Sequence, residues 1–193
     1  MSVEEARAAA GGVEARTLEH GPELSGDAKA LFRAVRRCLI VAADEGVLRN
    51  PLNRILSLVK IEERPRPEGR LIATILGGAT FDTGQATDEF FVRTDGARIS
   101  FGVTVESRTD PLVIHAYRFH LRFPSGMVPP YVRFDLNPGR ADPSEQSDPL
   151  VEPRCHVHVG ADDLRVAAPL MAPVEILTKL LYGLPGRVGI PSG

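Results

Sequence analysis

The chain has 193 residues, 43% of them hydrophobic and 25% charged, with Lys+Arg 23 against Asp+Glu 25 and a formal net charge of −2. This composition fits one globular domain that buries a real core, and it excludes a low-hydrophobicity disordered chain. The charge balance argues against a dedicated nucleic-acid binder, and no apolar run reaches the roughly 18 residues a spanning helix needs.

The acidic start, Met-Ser-Val-Glu-Glu-Ala, lacks the basic-then-apolar order of a signal peptide, so a cytoplasmic location with no membrane partner is expected. Lysine occurs only at Lys29, Lys60 and Lys179, leaving arginine as the dominant cation. Arginine forks suit phosphate and carboxylate, although a GC-rich genome also favours arginine over lysine. Two cysteines, Cys38 and Cys155, cannot form a disulfide framework and read as small buried hydrophobes in a reducing compartment.

Residues 1–23, rich in Ala, Glu and Gly, read as a flexible N-terminal arm. Residues 24–183 read as a single α+β domain, with a helical part at 24–63, a sheet and last helix at 70–183, and a tail at 184–193. Ser25 can cap a helix from Gly26 to Glu45, whose stripe is Leu31, Phe32, Val35, Leu39 and Ile40. Asn50-Pro51 opens a second helix with Leu52, Ile55, Leu56 and Val59 on its apolar side, and Glu62-Glu63 reads as its solvated end. Arg64-Pro-Arg-Pro-Glu-Gly69 breaks the pattern and reads as the joint between the helical part and the sheet.

Strand periodicity then takes over. The expected strands are Leu71–Leu76, Glu89–Thr94, Ala97–Val105, Leu112–Phe123, Tyr131–Leu136, Arg154–Val159 and a short edge at Leu164–Val166. Asp95-Gly96 is a two-residue hairpin signal. Residues 137–153 carry four prolines and several acids without an apolar pattern, and read as a long loop. Pro173 starts a closing helix with Val174, Leu177, Leu180 and Leu181 as its apolar side, stopped by Gly183. The expected architecture is a mainly antiparallel sheet with N-terminal helices and a C-terminal helix.

The chemistry lies in the alternation of three strands. Successive strand side chains point to opposite faces. One face therefore gathers Arg118, His120 and Arg122, then Tyr131, Arg133 and Asp135, then Arg154, His156 and His158, while Cys155, Val157 and Val159 turn the other way. An ordinary solvated face mixes Lys, Glu, Thr and Ser; this one concentrates arginine and histidine. Arg118, Arg122, Arg133, Arg154 and Arg165 are candidate phosphate ligands, because guanidinium binds phosphate bidentately. His156 and His158, with His120 and Asp135, are candidate acid–base groups. A metal-free ribonuclease or phosphodiesterase-type hydrolase needs only such a pair and cations for the developing charge.

Two alternatives stand beside that expectation. The surface can dock an anionic partner without catalysis, the last helix offering Met171 and Leu181 as an interface. Alternatively His156 and His158 can hold a divalent metal such as Zn or Mn, with Asp135 and His120 as the obvious further ligands and Asp162 or Asp163 after them. The arginines count against a cation, so the expectation is no cofactor. No phosphate loop, dinucleotide fingerprint or nucleophile elbow is present.

Tyr117-Arg-Phe-His120, Arg133-Phe-Asp135, Pro153-Arg-Cys-His-Val-His158 and Pro173-Val-Glu-Ile-Leu177 follow one another in order. Over about residues 112–181 this series resembles the small TumE-type toxins of bacterial toxin–antitoxin modules and related uncharacterised proteins. Here Leu136 stands between Asp135 and Asn137, where that pattern has Asn at once. The resemblance implies a growth-inhibiting activity on RNA and an antitoxin, or another protein, as partner.

Overall fold

The structure, a computed structural model, describes residues 26–81, 89–107, 109, 111–138 and 153–184. The expected arm at 1–23, most of the 137–153 loop and all but the first residue of the expected tail lie outside the described residues. Helix α1 (Ala28–Asp44) is capped by Asp27, whose carboxylate accepts the Ala30 N–H at 2.8 Å. Asp27 thus takes the role expected of Ser25, which is not among the described residues. Helix α2 (Leu52–Leu58) follows Pro51, and Val59, expected on its apolar side, instead opens a strand.

The strands are β1 (Val59–Pro65), β2 (Leu71–Gly77), β3 (Phe91–Val92), β4 (Arg98–Glu106), β5 (Ile114–Arg122), β6 (Tyr131–Leu136), β7 (Cys155–Val159) and β8 (Arg165–Ala167). They form one antiparallel sheet in the order β1-β2-β4-β5-β6-β7-β8, with β3 on β4. The chain closes with α3 (Pro173–Thr178), which loosens into a π turn over Lys179–Gly183. The fold is α+β and sheet-dominated.

One expectation fails in the N-terminal half. The stretch read as a joint is the turn of the β1–β2 hairpin, and Glu62 and Glu63 lie on β1, paired with Thr74 and Ala73. The Ile61-Glu-Glu-Arg run lacks a strand's apolar alternation because β1 is an edge with little to bury. Tertiary pairing overrides the local pattern. The strand expected at Glu89–Thr94 shrinks to two residues, because Asn50 takes over its backbone groups. Asn50 Nδ2 donates to the Phe90 carbonyl at 2.9 Å, and Val92 N–H donates to Asn50 Oδ1 at 2.6 Å.

The helices cover one face of the sheet. Leu31, Val35 and Leu39 of α1 and Ile176, Leu177 and Leu180 of the closing helix are buried against Ile75, Val103, Phe119 and Leu121. Leu181 is 2% exposed and Met171 only partly exposed, so the expected interface on the last helix is instead largely core. Gly77 is fixed by this packing, since a Cβ there would stand 2.1 Å from the Phe101 ring. Buried Arg93 donates to the carbonyls of Leu180 (2.7 Å) and Leu184 (2.9 Å) and ties the β3–β4 turn to the last helix. No described helix is long and apolar enough to cross a membrane.

Candidate functional site

The face of the sheet turned away from these helices carries the polar residues. Because β5, β6 and β7 are neighbours, the register sets Arg118 opposite Asp135 and His120 opposite Arg133, then Asp135 opposite His156 and Arg133 opposite His158. Three segments that are separate in sequence thus deliver guanidinium, carboxylate and imidazole groups to one patch.

Asp135 is its centre, 4% exposed. Arg133 Nε donates to Oδ2 at 2.7 Å and Arg118 Nε to Oδ1 at 3.3 Å. The imidazole Nε2 atoms of His158 and His156 stand 3.5 and 3.8 Å from Oδ2. His156 is 3% and His158 1% exposed, and Nδ1 of His156 lies 2.6 Å from the Pro153 carbonyl oxygen. Arg133 also donates Nη1 to Asp162 Oδ1 at 2.8 Å, an oxygen that accepts the Tyr131 hydroxyl at 2.8 Å too.

The electrostatics follow from this cluster. Burial disfavours a charge on Arg133, but the Asp135 and Asp162 carboxylates outweigh it and hold the guanidinium pKa above its ordinary value. Burial, reinforced by the nearby Arg133 charge, lowers the pKa of His158. The Tyr131 hydrogen bond, aided by Arg133, lowers the pKa of Asp162 against the opposing effect of burial. Burial and the Asp162 acceptor push Tyr131 up to about 12.

Beside the patch lies a cavity of about 570 Å³, within the size range of small-molecule sites. Its floor is built mostly of small side chains, Thr74, Ser100, Gly102, Thr104 and Ala116 beside Leu76, and one wall is charged, formed by Arg118, His120, Arg133 and Asp135. Phe81 packs at the His120 end of that wall, its ring centroid 4.4 Å from those of both Phe90 and His120, with Arg122 over its face at 5.1 Å.

The candidate residues therefore divide. Arg118, His120, Arg133 and Asp135 line the cavity; His156 and His158 are outside its lining and back Asp135 from β7. Arg122 engages Phe81, and Arg154 donates Nε to the Asn137 carbonyl at 3.1 Å. Arg165 lies on edge strand β8 opposite His158 and is exposed. Cys155 faces the core, its sulfur 3.3 Å from the Tyr117 hydroxyl.

Sequence reasoning missed the cavity floor. Its signal was the small-residue alternation Ser100, Gly102, Thr104 along β4, continued by Ala116 on β5 and Thr74 on β2. Asp162 was weighed only as a metal ligand; it is the partner of Arg133 and Tyr131. Compared with known protein families, curated proteins and solved structures, the chain finds no match in any of the three.

Proposed function

We propose that this protein binds a phosphate ester of about nucleotide size in the cavity on the sheet face turned away from the helices. The observation that carries the reading is a single wall bearing Arg118, Arg133 and His120 around Asp135, beside a floor of small side chains. The guanidinium groups suit a phosphate, and the floor of small side chains leaves room for a flat ring. Arg118 spends Nε on Asp135, and its side chain is 62% exposed, which leaves its terminal nitrogens for a ligand. Arg98 and Arg122 pair with each other on the same face and add positive charge beyond His120. Binding is favoured over hydrolysis by the placement of the histidines. Of the three candidate histidines, His120 lines the cavity, while His156 and His158 stand behind Asp135, so the His156–His158 pair does not flank a ligand there, and Asp135 is engaged by Arg118 and Arg133.

Calorimetry with a nucleoside monophosphate, the parent nucleoside and a short single-stranded RNA tests the reading. The monophosphate is expected to bind at least about tenfold tighter than the nucleoside, and Arg118→Ala to remove about 1.4 kcal/mol, the equivalent of that factor. Gly102→Leu, which fills the floor, abolishes binding. Equal affinity for nucleoside and monophosphate, or none for either, refutes the proposal. Multiple-turnover cleavage of the RNA by pure protein replaces it with the hydrolase reading.

A further inference from the structure

The arrangement behind the cavity wall holds an electrostatic conflict. A carbonyl oxygen only accepts, so the 2.6 Å contact from Pro153 requires the proton of a neutral His156 to sit on Nδ1. Its lone pair is then on Nε2, facing Asp135 Oδ2, also an acceptor, at 3.8 Å. His158 Nε2 approaches the same oxygen at 3.5 Å. All three residues are at least nine-tenths buried, so bulk water does not separate these groups. A positive centre between them resolves the conflict, either a second proton on His156 Nε2 or a metal ion that takes both lone pairs, and titration with Co2+ separates the two.

We propose that Asp135, His156 and His158 form a binding site for a divalent first-row transition metal of the zinc class. The three donor atoms lie within 4.8 Å of one another. Donors bound at about 2.0–2.1 Å around a tetrahedral ion are separated by about 3.3–3.4 Å. The two carboxylate–imidazole distances need to close by a few tenths of an ångström, and the widest donor separation, up to 4.8 Å, by about 1.4 Å. The two imidazole rings are tilted by 71° rather than stacked. Nitrogen and oxygen donors of this kind suit zinc, manganese and their neighbours. The Pro153 carbonyl supplies the outer contact that fixes the tautomer of a metal-bound histidine.

Arg133 does not compete for the same lone pair, since a carboxylate oxygen has two and its Nε occupies one. Arg133 and Arg118 do lower the affinity for a cation, while Asp162 offsets part of that charge. The site therefore belongs to a moderate binder with three protein donors. This inference is independent of the phosphate ester, and metal binding is measured without any such ligand.

The test uses the full chain stripped with chelator and then titrated with Co2+. The expected result is one equivalent bound per chain, with visible absorption of a low-coordinate Co2+ centre displaced by Zn2+. His156→Gln and His158→Gln each abolish that absorption while keeping the wild-type circular dichroism. Should either variant fail to fold, the wild-type chain still decides: Zn2+ raises its thermal midpoint by several degrees and chelator reverses the rise. No absorption and no thermal shift overturn the proposal, and so does undiminished binding by both folded variants.

Discussion

Asp135→Asn, in chelator-treated protein, is the most informative single change, because it keeps the shape and removes the charge on which Arg118 and Arg133 converge. Two unit charges about 4 Å apart attract by about 4 kcal/mol at an effective dielectric near 20. The Arg133 side chain is 17% exposed, so little of this is lost to solvent, and its Nε–Oδ2 distance is 2.7 Å. The amide still accepts that N–H at about half strength, and Arg133 keeps Asp162. The Arg118 side chain is 62% exposed, so its bond adds well under about 1 kcal/mol. The expected loss is about 2–3 kcal/mol of folding stability, or roughly 5–10 °C in the melting midpoint of a domain this size. Urea unfolding monitored by far-UV circular dichroism measures it, with the slope against denaturant unchanged. Asp162→Asn is the control; its side chain is 75% exposed, and the expected loss is below about 1 kcal/mol. A change under about 0.5 kcal/mol for Asp135→Asn, or stabilisation, refutes the reasoning, because desolvating the carboxylate would then cost as much as its partners return.

Three further outcomes are expected. Gly77→Ala places a methyl against the Phe101 ring and destabilises by about 1–3 kcal/mol, measured by the same denaturation. Asn50→Ala leaves the Phe90 carbonyl and Val92 N–H without their partner and costs about 1–3 kcal/mol; thermal melting reads it, and a loss below that range counts against the clamp between α2 and β3. The chain holds three tyrosines and no tryptophan, so absorbance near 295 nm reports tyrosine ionisation alone. Tyr131 and Tyr182 are pushed up to about 12, chiefly by burial, and Tyr117 higher still for the same leading reason. No tyrosine therefore ionises at the ordinary value near 10 while the chain is folded. Folding stability from these phenols is complete below pH about 10 and declines as pH rises through 12, since the unfolded chain loses those protons first. A titration step near pH 10 in folded protein contradicts this.

Part of this protein was legible in one dimension. The faces of β5, β6 and β7 follow from alternation alone, because a strand's period of two is a property of the backbone. Reading Arg118, Arg133, Asp135, His156 and His158 onto one face needed nothing more. The same holds for the Leu31–Val35–Leu39 stripe of α1 and the Asp95-Gly96 turn, where Gly96 has φ of 85°.

Strand order could not be read this way, since it depends on which faces find partners across the whole chain. Without it, side chains on one face of three strands could lie far apart. The meander makes β6 the neighbour of both β5 and β7, and that adjacency surrounds Asp135 with two arginines and two histidines. Edge strand β1 was hidden for a related reason: its polar run is tolerated because pairing with β2, rather than burial of its own side chains, holds it in place. The cavity is likewise a tertiary product. The small-residue alternation through Gly102 is visible in sequence, but only its placement beside Ala116 and Thr74 on adjacent strands leaves a volume that no described side chain fills.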